Sequence, residues 1–331
     1  MGPDVVLGTT TGGQHWNVLF NPRQVLLGSD FLDAQHGWVV GISALYRTQD
    51  GGASWQPLGD PSPPLWSVHF VSALLGWGVV GDNHVAGNPE EDGIAAPPAG
   101  GRLVVTTDGG MTWRQLGGPP NVESVCFPNG SQGWLGVPGA VYRSLNGGET
   151  WRLAFSEPEV DGVPGAEDTF VECASPPAVW VYFHGQGAAL SHQGYAGVAS
   201  VDGVHWQVVL DEGYTESGRW GMSVPDGPGS YPGPFSVVSP STAVFLGWSP
   251  AEGCGGIGMM VATGGGTTLS AERALPLNLV SSAAFISAGV GWVVGAGSTP
   301  PGTGGCGNPT SEIVMTANGG RSWTKQYSGQ L

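Results

Sequence analysis

The chemistry-bearing residues of this 331-residue chain gather in one stretch, Asp211-Glu212-Gly213-Tyr214-Thr215-Glu216-Ser217-Gly218-Arg219-Trp220. Its mixture of carboxylates, one guanidinium and two aromatic rings suits contacts with carbohydrate or peptide. Rings stack, carboxylates accept from hydroxyls and amides, and arginine donates in a fixed fork. A glycosidase needs two carboxylates about 5–10 Å apart across the scissile bond. Asp211, Glu212, Glu216, Asp168 and Glu252 are the residues available for that role. A lyase needs a Tyr or His base beside a neutralised carboxylate, for which Tyr214 and His184 qualify by type. Glu90-Glu91-Asp92 reads as a solvated acidic tip, with calcium as the alternative if further oxygen ligands surround it. Asp161, Glu167 and Asp168 carry the same ambiguity. The histidines (His15, His36, His69, His84, His184, His192, His205) show no H-x-x-x-H or His/Cys spacing. No metal is therefore expected. Neither a phosphate loop nor a Gly-x-Ser-x-Gly elbow is present, and no cofactor is expected.

The elements that must position these residues repeat along the chain. A phrase of the form Ser/Thr-x-Asp-Gly-Gly-x-Thr-Trp occurs at Thr48–Trp55 and Thr106–Trp113, and with Asn146 and Asn318 as the Asx residue at Ser144–Trp151 and Thr316–Trp323. Looser copies are Thr9–Trp16, Ser200–Trp206 and Thr263–Leu269. Apolar runs flank each copy, so each predicts a β-hairpin. The glycines supply positive φ and the Asx side chain bonds backbone amides across the turn. Asp50, Asp108, Asn146, Asp202 and Asn318 are expected to staple turns rather than act as acids or metal ligands. His15 and His205, inside these turns, read as structural.

A second phrase, an aromatic strand followed by Gly-Trp and small apolar residues, alternates with the first. It carries Trp38, Trp77, Trp134 and Trp292, with Trp180 and Trp248 in related strands. The interval from a turn's closing position to the next Gly-Trp is 22 (16 to 38), 22 (55 to 77), 21 (113 to 134) and 23 (269 to 292). Each unit then reads as one four-stranded antiparallel blade, and repeats of this period mean a propeller.

The two phrases together resemble the Asp-box, or bacterial neuraminidase repeat, and in particular the photosystem II assembly and stability factor-like group. The resemblance covers nearly the whole chain. It implies an all-β propeller in which the Asx turn joins the third and fourth strands of each blade, usually away from any active site. The expectation is one domain over 1–331 with seven blade positions, the first incomplete. The repeat units are approximately 1–20 (partial), 21–60, 61–118, 119–156, 157–212, 213–272 and 273–331. Function is less specified, since related repeats occur in sialidases, xyloglucan hydrolases, polysaccharide lyases and sorting receptors. A sialidase-like role is disfavoured. The arginine triad of that family begins Phe-Arg-Ile-Pro, whereas Phe20-Asn21-Pro22-Arg23 is out of order. The basic partner-binding patch of the assembly-factor group has no counterpart either.

Composition narrows the partners. The chain has 59 Gly, 27 Pro and 14 Trp, 11% charged residues and a formal charge of −16. It lacks the basic stripe that phosphate neutralisation requires, so no nucleic-acid partner is expected. No apolar run of about 18 residues exists, so no transmembrane segment is expected. The half unit at the start implies a preceding leader, signal or anchor; an irregular first blade is the rival. Cys254 and Cys306 fall in Gly-rich loops of adjacent units and are expected to form a disulfide. Cys126 and Cys173 lie in first strands at opposite pleat phase, facing across the gap between blades or pointing away, and read as buried free thiols. Disulfides fit an extracytoplasmic location.

The extra sequence concentrates in loops between second and third strands (about 82–101, 183–197, 249–260 and 296–311) and in links at about 154–168 and 207–234. Loops at that end of the blades are the expected functional surface, neutral insertion being the bland alternative. After twelve tryptophans are assigned to the two phrases, Trp66 and Trp220 remain. Trp66 reads as a core cap near a central opening or as a ligand contact, and Trp220 as a stacking ring or the anchor of its own loop. The expected function is a monomeric, non-enzymatic propeller that binds a protein partner or glycan through its long loops. The alternative is a secreted glycoside hydrolase or polysaccharide lyase.

Overall fold

Short apolar runs between Gly-rich turns form antiparallel sheets, and no helix occurs among the described residues. The computed structural model describes residues 4–59, 64–82, 99–160, 165–188, 192–213, 219–249, 256–297 and 310–329. A leading hairpin, Val6–Gly8 with Asn17–Phe20, is followed by six larger sheets. Blade 1 holds Leu26–Phe31, Gly37–Gly41, Leu45–Thr48 and Gln56–Leu58. Blade 2 holds Leu65–Phe70, Gly76–Asp82, Ala99–Thr106 and Arg114–Gln115. Blade 3 holds Ser124–Cys126, Gly133–Val137, Ala140–Ser144 and Arg152–Ser156. Blade 4 holds Asp168–Cys173, Val179–Ala188, His192–Ser200 and Gln207–Glu212. Blade 5 holds Tyr231–Ser239, Thr242–Ser249, Gly256–Thr263 and Thr268–Leu269, with Arg273–Leu275 also on its third strand. Blade 6 holds Leu277–Phe285, Gly291–Gly297, Ser311–Thr316 and Thr324–Gly329.

Strands pair in chain order within every sheet, which makes the fold a β-propeller of four-stranded meanders. The expected seven blade positions are corrected to six blades. The hairpin around Thr9–Trp16 forms only a two-stranded sheet, because Val6–Gly8 pairs with Asn17–Phe20 alone. Packing divides the chain into two compact units, one reaching Ala154 and the other starting at Phe155.

In the first unit a clasp of three residues joins neighbouring blades. The Phe that ends a first strand lies over the glycine of its own Gly-Trp. A Cβ on Gly76 would stand 2.5 Å from the Phe70 ring, and one on Gly133 would stand 2.3 Å from Phe127. The indole of the preceding blade then stacks on that Phe. Trp38 lies on Phe70 with centroids 3.6 Å apart, and Trp77 lies on Phe127 at the same distance. Each indole N–H also donates to a turn carbonyl of the next blade, Trp38 to Gly109 and Trp77 to Gly147, both at 3.0 Å. The turn's own Trp113 and Trp151 meet Phe70 and Phe127 edge-on.

The turns are held by side chains as well as by glycine. Thr106 Oγ1 accepts from the Gly110 amide at 2.9 Å and donates to Asp108 Oδ1 at 2.8 Å. Asp108 in turn accepts from the amide and hydroxyl of Thr112. Thr48, Asp50 and Ser54 repeat the pattern. At Asn146 and Asn318 the amide group donates to the hydroxyl instead. Asp202 takes the amides of Val204 and His205.

Within each unit, first strands are also linked by polar side chains. Asp30 accepts from the Phe70 amide and His69 Nε2 meets the Phe127 carbonyl at 2.8 Å. In the second unit Glu172 accepts from the Val237 amide at 2.9 Å and Ser236 from the Phe285 amide at 3.0 Å.

Two readings are corrected. Cys126 and Cys173 are disulfide-bonded rather than free thiols. Their opposite pleat phase is real: Cys126 registers with Trp134, whereas Cys173 registers with Val179 and leaves Trp180 to Glu172. Second, Trp248 does not occupy a Gly-Trp site. Elsewhere the residue before the indole pairs with the Ser/Thr that opens the turn, as in Gly37 with Thr48 and Gly133 with Ser144. In blade 5 Ala243 holds the indole's own level, pairing with Ala262 one residue before the turn's Thr263, and Trp248 pairs with Ile257 five residues farther on. Gly247 mimics the motif for another reason: a Cβ there would stand 2.0 Å from the Pro228 carbonyl. Cys254 and Cys306 lie outside the described residues.

Trp77→Ala should cost about 3–5 kcal/mol of unfolding free energy, the scale for emptying a buried aromatic site. Trp77→Phe should cost less, since it keeps the stacking and loses mainly one hydrogen bond; chemical denaturation of both variants measures the difference. A second expectation concerns pH. Hydrogen bonds, Thr112 first, hold the Asp108 carboxyl below its ordinary value. The resulting stability is present above that ordinary value and lost as pH falls through the folded value. Asp108→Ala should therefore lower Tm at pH 7, with the deficit shrinking below about pH 4.

Candidate functional site

Blade 4 departs most from the minimal repeat. Its second and third strands run to ten and nine residues, Val179–Ala188 and His192–Ser200. Register across them places four ionisable residues in one transverse row. Asp168 pairs with His184, His184 with Tyr195, and Tyr195 with Glu212. Directly opposed residues share a face, so all four side chains leave the sheet on one side. The row lies toward the end where the second strand turns into the third and where the fourth strand leaves. That is opposite the Ser200–Trp206 turn.

The segment after Glu212 doubles back over that end and is pinned on both faces of the sheet. Asp211, fully buried, accepts from the amides of Trp220 and Met222 at 2.9 and 3.0 Å. Trp220, 6% exposed, packs on Phe155 and Phe183. Arg219, 2% exposed, pairs with Glu157 at 3.1 Å and passes Gly185, where a Cβ would stand 2.1 Å from its Nη1. These contacts make Arg219 and Trp220 anchors of the segment. On the other face Glu212 Oε2 accepts from the Gly227 amide at 3.0 Å and the Tyr195 hydroxyl donates to the Gly229 carbonyl at 2.5 Å. The Gln193 amide donates to the Ser230 carbonyl at 2.8 Å.

Burial mutes most of the row. It pushes the His184 imidazole down to about 3, with Arg219 adding to the effect. The Tyr182 and Tyr195 phenols are driven well above their ordinary value by burial first and by neighbouring charge second. Asp168 is raised to about 6 by burial and by Glu167. Glu212 is raised to about 7, chiefly by burial, with Asp226, Asp211 and Glu272 adding repulsion. One pair is partly exposed: His192 Nε2, itself buried, stands 3.2 Å from Glu212 Oε1, their side chains 27% and 13% exposed overall.

The two raised carboxylates at the ends of the row stand three strand spacings apart, about 14 Å between backbones. Trp66 is half-buried at the bulge between Leu65 and Ser67 in the first strand of blade 2. Tyr214, Glu216, Asp161, Glu252 and Glu90-Glu91-Asp92 lie outside the described residues. Among the described residues, no group of three or more His, Cys, Asp or Glu is placed to hold a metal ion. No helix is long and apolar enough to cross a membrane.

Sequence reasoning missed the aromatic pair Tyr231–Trp248. The two are cross-strand partners at the same end of blade 5, with rings 5.3 Å apart at 46°. Both are half-buried. The interval of 42 residues from Trp206 to Trp248, against 21–23 in the regular units, was the available signal.

No family model and no curated protein matches the chain. The likeness is to solved structures, and it is one of fold. An ancestral GH74 enzyme is similar at 18% identity and TM-score 0.54, over 98% of this chain and 43% of that one. The GH74 xyloglucanase from Xanthomonas campestris aligns at 13% identity and TM-score 0.58, over 98% of this chain and 46% of that one. A PL25 ulvan lyase bound to a GlcA–Rha3S saccharide aligns at 8% identity and TM-score 0.53, over 92% and 87%. The chain spans about half the length of the GH74 structures it matches.

Burial raises the Glu172 carboxyl to about 7, against an ordinary 4.5. Its contribution to stability is full below the ordinary value and is lost as pH rises through 7. Glu172→Gln keeps an acceptor for the Val237 amide without the charge. The Tm of the variant relative to the parent should therefore climb from pH 5 to pH 8. A constant difference across that range would refute this assignment.

Proposed function

We propose that this chain is a non-catalytic recognition propeller that binds a glycan through the loop ends of its blades, with blade 4 and its returning segment at the centre of the site. The carrying observation is the transverse row Asp168–His184–Tyr195–Glu212. Tyr195 and Glu212 hold the returning segment, and burial keeps the His184 imidazole and the Tyr195 phenol neutral. What stays partly exposed is the pair of side chains His192 and Glu212. Two of the similar structures are a xyloglucanase and an ulvan lyase, and the glycan reading takes its ligand class from them. The disulfide-bonded Cys126 and Cys173 favour an extracytoplasmic location.

One observation favours a glycan-active enzyme as the second reading. A carboxyl raised to about 7 beside a partly exposed histidine side chain is poised to exchange protons near neutral pH. A glycan array on the purified protein, run beside a polysaccharide degradation screen, separates the two. The expected result is saturable binding without new reducing ends or unsaturated products. Product formation that is lost in both Glu212→Gln and His192→Ala would establish the enzyme instead.

A further inference from the structure

Tyr231 and Trp248 stand where neither repeat phrase requires an aromatic residue. Tyr231 opens the first strand of blade 5 and Trp248 is next to last in the second, so both rings sit where the long loops begin. One side of Trp248 packs on the cluster around Leu246, Ile257 and Met259. The backbone beside the pair is fixed from several directions. Gly229 lies at φ 122° with its Cβ position 2.8 Å from the Trp248 nitrogen, and the Ser230 amide donates to Ser249 Oγ at 3.2 Å. The same run, 227–230, is held by Glu212, Tyr195 and Gln193 of blade 4. The aromatic pair and the His192–Glu212 pair are thus joined through one short, hydrogen-bonded segment.

We propose that Tyr231 and Trp248 form a stacking platform for the sugar rings of an uncharged polysaccharide, with His192 and Glu212 as its hydrogen-bonding edge. This rests on the glycan-binding reading above and names the subsite and the ligand class. A pyranose presents an apolar C–H face that stacks on an aromatic ring, and its hydroxyls match a carboxylate and an imidazole. Ordered strands and a pinned segment keep the rings preorganised, so little entropy is lost on binding. Charge selects the class. Asp211, Asp226 and Glu272 surround Glu212, the nearby Arg219 is paired with Glu157, and the chain carries −16. A uronate or sulfate would meet repulsion there, while a neutral glycan would not.

Affinity electrophoresis through gels containing xyloglucan, hydroxyethylcellulose or polygalacturonate tests this, with Tm measured for every variant. The parent protein should be retarded by a neutral polymer and not by polygalacturonate. Tyr231→Ala and Trp248→Ala should each weaken that retardation about tenfold or more, the effect of removing an aromatic anchor. Trp248→Phe should stay within about threefold. If Trp248→Ala fails to fold, Tyr231→Ala and the Phe variant carry the test. Retardation untouched by the folded variants overturns the platform and leaves glycan binding standing. Retardation by polygalacturonate alone overturns the ligand class. If neither these gels nor the array shows binding, both readings fall.

Discussion

The first unit depends on one repeated contact, a Phe side chain caught between a glycine of its own blade and an indole of the blade before. Each partner is required for a steric or electronic reason. Any side chain on Gly76 or Gly133 would collide with the Phe ring, and the ring in turn gives Trp38 or Trp77 a flat surface at 3.6 Å. The indole N–H is then placed to donate to a turn glycine's carbonyl. Apolar burial, ring packing and a satisfied buried donor are met by the same atoms, which is why the phrase recurs with so little variation in spacing. The Asx turns serve this clasp: they present a carbonyl at a fixed point and keep the closing Trp against the same Phe.

Where the clasp is relaxed, the molecule spends its residues differently. In blade 5 the indole place holds Ala243, and a cluster of Trp180, Tyr182, Tyr195, Phe235 and Phe245 fills the space. Phenols bring polar atoms into that core, and the Tyr195 hydroxyl is satisfied by the Gly229 carbonyl. That requirement draws the returning segment down onto the sheet. Glycines at 185, 227, 247 and 258 then mark places where the Arg219 guanidinium, the Tyr195 phenol, the Pro228 carbonyl and the Glu272 carboxylate respectively pass too close for a side chain. The same glycines that would read as loop flexibility are contact points of a rigid strap.

The regular part of this design was legible in the sequence. The Asx-Gly-Gly turns announce hairpins, and a spacing of 21–23 residues between turn and Gly-Trp announces four-stranded blades. Phe245-Leu246-Gly247-Trp248 was misleading because residue types carry no register. Only pairing with the third strand shows that this Trp stands five residues too far along. Trp220 and Arg219 were visible as unusual residues, but their burial against Phe183 and Glu157 depends on a chain reversal that no local pattern encodes. The row Asp168–His184–Tyr195–Glu212 was equally hidden. Its members are 16, 11 and 17 positions apart in sequence and become neighbours only through strand pairing.

The balance between recognition and turnover turns on what rigidity does to ionisable groups. A catalytic acid or base must change protonation state within each cycle, which requires water or substrate at its titrating atom. His184 and Tyr195 are buried beyond that reach, and Tyr195 and Asp211 already hold backbone groups whose release would free the segment they anchor. Glu212 is the exception, shared between the Gly227 amide and His192. Protonating it would weaken its hold on the segment that carries the chain into Tyr231. Holding that segment and moving protons therefore compete for the same carboxylate. The surrounding hydrogen bonds favour the first.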